Sequence, residues 1–129
     1  MVTGLYAAAL VLMQVFMTLQ IVKIRRSKHI SLGDGGIDEL TRKVRAHGNF
    51  TETVPIALFL MVIAELSGAP FWTIHVLGVL MIIGRILHYI ALTTGSSHGK
   101  FRFYGMFLTL NAYFIGAALC VWLALPVLG

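Results

Sequence analysis

Four apolar runs, each bounded by polar or charged residues, divide the chain. Residues 4–22 are apolar apart from Gln14, Thr18 and Gln20. Residues 56–64 are almost wholly apolar and continue without a break from a basic and polar stretch that begins at Asp38. Residues 71–92 and 108–125 form the third and fourth runs. A membrane-crossing helix needs roughly 20 mainly apolar residues, and each run reaches that length with its flanks. The pattern predicts helices over about 3–23, 38–66, 70–93 and 102–126, in one domain covering 1–129. Between them lie a flexible connection at 31–36 with three glycines, a tight turn at 67–70, and a loop at 93–99 in which His98 reads as a solvated residue. Asp38 is expected to cap the second helix, and Pro55 to bend it just inside the membrane.

Composition settles the solvent. Of 129 residues, 58% are hydrophobic and only 12% are charged, more apolar surface than a soluble domain of this size can hide. The fold class is therefore an all-α integral membrane protein, a four-transmembrane-helix bundle. The net charge of +5 matters through its placement: nine of the ten Lys and Arg residues fall in 23–45 and 100–102, and the tenth is Arg85. Basic residues flanking apolar spans mark a cytoplasmic membrane edge, not a nucleic-acid face, so no nucleic-acid partner is expected. Both basic connections must share one side, which leaves both termini outside and puts Trp72 and Trp122 at the outer interface. Because its charges follow its apolar run, the first segment reads as an uncleaved helix and not as a signal peptide. The single cysteine, Cys120, excludes an internal disulfide and a multi-cysteine metal site.

Candidate chemistry collects at the basic edge. On one helix, Arg42, Arg45, Asn49 and Glu52 recur at spacings of three, four and three, and so fall on one stripe. Arg85 and His88 share a face of the third helix, and Arg25, Arg26, His47, Lys100 and Arg102 lie at the same level. A carboxylate entering an apolar region costs several kcal/mol unless it is partnered. Glu52 is then either a structural lock held by an arginine of a neighbouring helix or part of a ligand site. His88 is either an interhelical hydrogen-bonding group or a ligand contact, and Arg102 either an interfacial anchor or a reactive-site cation. His75, alone at the other end of its helix, reads as structural. Together the cations, amide and carboxylate suit a small, zwitterionic to anionic, peptide-like ligand.

The run Arg42-x-x-Arg45-Ala46-His47-x-Asn49-x-x-Glu52-x-x-Pro55 resembles the second-helix signature of the membrane-associated proteins in eicosanoid and glutathione metabolism, the MAPEG family. Length, helix layout and charge placement are similar over nearly the whole chain, which resembles a bacterial-type microsomal glutathione transferase-like member. The resemblance implies a homotrimer in a bacterial inner membrane, with glutathione as co-substrate bound between subunits at the cytoplasmic face and no metal. It implies glutathione contacts from Arg42, Arg45, His47, Asn49 and Glu52, and from Arg26 (or Arg25 in its place) on the first helix. Arg85-x-x-His88 is similar to a third-helix Arg-x-x-His-x-x-x-Tyr pattern that adds both residues to the set, but here the last position is Leu92. Arg102 aligns with the arginine that stabilises the glutathione thiolate, which makes it the catalytic residue. The implied reaction adds that thiolate to a small lipophilic electrophile or hydroperoxide arriving from the membrane lipids.

Other classes leave different marks. A non-catalytic glutathione- or lipid-binding homologue would keep the binding stripe without the chemistry. A small multidrug transporter needs a carboxylate deep in its first helix, and residues 1–22 contain no acid. In a haem-binding subunit His75 and His88 would have to meet one iron, yet thirteen residues of helix set them about 20 Å apart.

Overall fold

In lipid the backbone polar groups must find partners within the protein, and a helix provides them inside its own segment, which makes it the natural state for apolar runs of this length. The computed structural model describes residues 1–94 and 99–128, so the expected loop centre with His98 lies outside the described residues. Four helices follow in order: α1 (Thr3–Ser27), α2 (Asp38–Leu66), α3 (Phe71–Thr94) and α4 (Gly99–Leu128). All four are long and apolar enough to cross a membrane. Both α1 and α4 extend further into the basic end than the apolar runs alone indicate, because Arg25, Arg26, Lys100 and Arg102 are themselves helical.

α1 buries Thr3, Leu10, Met17 and Ile24, one residue in every seven, so its fully buried positions form a single line. It packs against α2 and α3 and not against α4 among the described residues. The most extensive packing joins α3 to α4, where the backbones approach closely. A Cβ on Gly105 would lie 2.7 Å from the His88 nitrogen and 2.8 Å from the Gly84 oxygen. Small residues at such crossings let membrane helices meet at backbone contact. Between α1 and α3 the ring of Tyr6 occupies the space above Gly78, and its hydroxyl shares a 2.8 Å hydrogen bond with His75 Nδ1. That bond gives His75 its structural place.

The start of α2 differs from expectation. Ile37, not Asp38, occupies the cap position, and it makes no side-chain cap bond. Asp34 ties the turn instead, accepting from the Gly36 N–H at 3.1 Å and the Thr41 hydroxyl at 2.8 Å. These bonds, the Gly36 amide first, hold its carboxyl below the usual value of 3.8. Asp38 and Glu39 still stand in the first turn, where the helix dipole favours acids. α2 continues through Pro55 to Leu66. At the far end Glu65 accepts from the backbone N–H groups of Val2 and Thr3, fastening the start of α1 to the end of α2.

Candidate ligand site

A cavity of about 320 Å³ opens at the basic end, within the range of roughly 300–1,000 Å³ typical of small-ligand sites. α2 supplies Val44, Arg45, Gly48, Asn49 and Glu52; α3 supplies His88 and Leu92; α4 supplies Arg102. Helical spacing explains the α2 wall, since these residues follow one another at three and four along one face. The α4 contribution depends on the glycine crossing. Arg102 stands one turn before Gly105, and the contact of Gly105 with Gly84 and His88 sets that turn level with His88.

No ion pair among the described residues engages Arg45, Glu52 or Arg102. The expected lock between Glu52 and an arginine of a neighbouring helix is therefore absent within one chain. His88 is 5% exposed, and its buried Nδ1 has no partner among the described residues. Two guanidinium groups, a carboxylate, a carboxamide and an imidazole thus line one small space with few commitments to each other.

Arg85 belongs behind this space, not in it. It is 2% exposed and absent from the cavity wall. Nη1 donates to Asn49 Oδ1 at 2.7 Å and to Thr53 Oγ1 at 2.9 Å, and Nη2 donates to Thr109 Oγ1. Each threonine spends its own proton on the carbonyl one turn back, Thr53 on Asn49 and Thr109 on Gly105, which leaves a lone pair for the cation. One arginine on α3 is thereby bonded to α2 and α4 through neutral acceptors only.

Three more expected contacts lie elsewhere in a single chain. Arg42 is exposed and does not reach the cavity, since it stands about 4.5 Å further along α2 than Arg45. His47 projects to the opposite side of α2, where its Nε2 bonds Thr18 Oγ1 of α1 at 3.1 Å. Arg26 lies with Arg25 and His29 around a separate hollow at the end of α1, and Arg25 is held by the Ser31 and Gly33 carbonyls. Leu92 lines the cavity at the position where the resembling pattern has tyrosine.

Residues 3–122 match the MAPEG family. The chain belongs to the MAPEG family. It is 37% identical over 102 residues to the inner membrane protein YecN of Escherichia coli K12, covering 79% of this chain and 75% of that relative. YecN of Escherichia coli O6:H1 strain CFT073 matches to the same extent. This MAPEG chain is accordingly a membrane protein of the glutathione and eicosanoid metabolism family, and three of its eight cavity residues, Arg45, Asn49 and Glu52, come from the second-helix signature. The signature did not point to Val44 and Gly48 of the wall, or to Thr53 and Thr109, which hold Arg85. Thr53 was within reach, lying four residues from Asn49 on the same face. Thr109 was not, because its role depends on how α4 sits against α3.

Proposed function

We propose that this chain is a membrane-bound glutathione transferase, with hydroperoxide reduction as a second use of the same thiolate. The observation that carries the reading is the cavity in which Arg45, Asn49, Glu52 and Arg102 meet without an internal ion pair. Glutathione offers two carboxylates, an ammonium and a thiol. Arg45 and Asn49 suit a carboxylate, Glu52 suits the ammonium, and Arg102 is left for the sulfur. A free thiol titrates near 8.5, and a neighbouring cation lowers that value and raises the thiolate fraction at neutral pH. Arginine serves well because it keeps its own proton. The thiolate then forms a carbon–sulfur bond with an electrophile dissolved in the lipid, whose leaving group or neighbouring carbon accepts the displaced electron pair.

The working assembly in this reading is a homotrimer in a bacterial inner membrane, with the cavity at the cytoplasmic face and both termini outside. Arg26 and Arg42, remote from the cavity of their own chain, are then free to reach a neighbour's ligand. A second reading, a glutathione-binding homologue without catalysis, is favoured by Leu92, which gives that wall no hydroxyl. Titrating purified protein with glutathione while following thiolate absorbance separates the two. Binding with a thiolate signal at neutral pH supports the transferase. Binding without one supports the homologue, and no binding removes both.

A further inference from the structure

Arginine carries five N–H donors and no acceptor, so any oxygen it holds is an acceptor. That fixes the direction of an asparagine carboxamide, whose oxygen and nitrogen are nearly alike in size and differ in what they donate. Asn49 must turn Oδ1 toward Arg85 Nη1, 2.7 Å away, and Nδ2 with its two N–H bonds to the other side. Asn49 also lines the cavity, whereas Arg85 does not. We infer that Arg85 is a positioning residue that locks the Asn49 carboxamide, so that the cavity presents an N–H donor there and selects a carboxylate or carbonyl oxygen of the ligand. The inference rests on the glutathione reading for the identity of that ligand, and adds the polarity of one contact and the residue that sets it.

The lock is stiff for reasons given by its surroundings. The Thr53 and Thr109 hydroxyls have given their protons to their own helices, so both can only accept from the guanidinium. Swinging Arg85 away would strand a cation among apolar residues of α3, with 2% of its surface exposed. Reversing the carboxamide would set its N–H groups against Arg85's own. Along α2 the wall therefore alternates in character: a cation at Arg45, a donor at Asn49, an acceptor at Glu52. An anionic group of the ligand belongs at the first two and an ammonium at the third.

Asn49→Asp tests this without emptying the site, since it keeps an oxygen for Arg85 and replaces the cavity-facing NH2 by a second oxygen. One arm needs no ligand. With Arg85 in place, Asn49→Asp should unfold at or above the wild-type temperature in detergent; in an Arg85→Gln background the same substitution should lower it. Equal shifts in the two backgrounds would overturn the contact. The other arm uses glutathione. Asn49→Asp should stay folded yet bind about ten-fold or more weakly, as expected when a donor to a carboxylate is lost. Arg85→Gln should raise the KM for glutathione several-fold with kcat little changed, whereas a general folding defect would lower kcat by reducing the active fraction and leave KM alone. Wild-type affinity in Asn49→Asp, or a kcat effect alone in Arg85→Gln, would overturn the positioning role while leaving the glutathione reading intact. If wild-type protein binds no glutathione but the unfolding arm shows the coupling, the glutathione reading falls and the lock stands.

Discussion

Two guanidinium groups in this protein occupy opposite situations. Arg85 is enclosed and bonded through both terminal nitrogens, while Arg102 is exposed on the cavity wall with no ion pair among the described residues. If Arg102 stabilises a thiolate, Arg102→Leu should leave glutathione affinity within a few-fold and cut the conjugation rate at neutral pH about ten-fold, the worth of one pKa unit. Raising the pH should restore part of the rate, and Arg102→Lys should fall between. A mutant with wild-type rates across the pH range would reduce Arg102 to an anchor. Asp34 offers a second residue-scale test, on stability. Its folded pKa lies below the unfolded 3.8, so its contribution is complete above that value and is lost as pH falls through the folded pKa. Asp34→Asn should therefore lower the unfolding temperature near neutrality, by a difference that shrinks below pH 3.8 in thermal scans. The identities of Arg45, Asn49, Glu52, His88 and Arg102 as a group were legible in the sequence, because helical spacing and membrane level together bring them to one place. What spacing could not tell was depth: Arg85 and His88 share a face, yet one reaches the cavity and the other stops behind it.

The helices themselves were readable for a simple reason. A run of about 20 apolar residues has few alternatives in lipid, so length and location followed directly, and errors were confined to ends. Those ends moved chiefly on the basic side, where α1 runs on through Arg25 and Arg26 to Ser27 and α4 begins at Gly99 and takes in Lys100. The cap of α2 was misjudged because Asp34, four residues upstream, competes for the same task through Gly36 and Thr41. Pairing between elements was the hidden part. Nothing about Gly84 or Gly105 alone says that they face each other, since that depends on the register of α4 against α3. Gly105→Val makes the point testable: a branched side chain against the His88 nitrogen and the Gly84 oxygen should cost about 1–3 kcal/mol and lower conjugation as Arg102 is pushed off its level. Gly99→Ala, which meets open space, is the matched control and should change neither the unfolding temperature nor the rate.

For the molecule as a whole, charge placement makes the orientation a direct experiment. A cysteine replacing Ser31 should react with a membrane-impermeant reagent only from the cytoplasmic side, and one replacing Ser67 only from the opposite side; the reverse pattern would invert the protein and place the cavity outside. The exposed aromatic and aliphatic surface of α1 and α4, including Phe103, Phe107 and Phe114, gave the sequence its membrane signature. Such surface suits lipid and a second copy of the chain alike. The buried arginine also has a consequence for how the chain is made. Leaving the translocon for lipid costs an arginine at a helix centre roughly 2.5–3.5 kcal/mol. During synthesis α3 emerges with Asn49 and Thr53 already available on α2, but Thr109 is still 24 residues away. A nascent α3 therefore finds acceptors for its guanidinium only on α2, and its last bond waits for α4. Chains stopped before residue 109 should linger at the translocon in crosslinking experiments, and replacing Arg85 with leucine should release them.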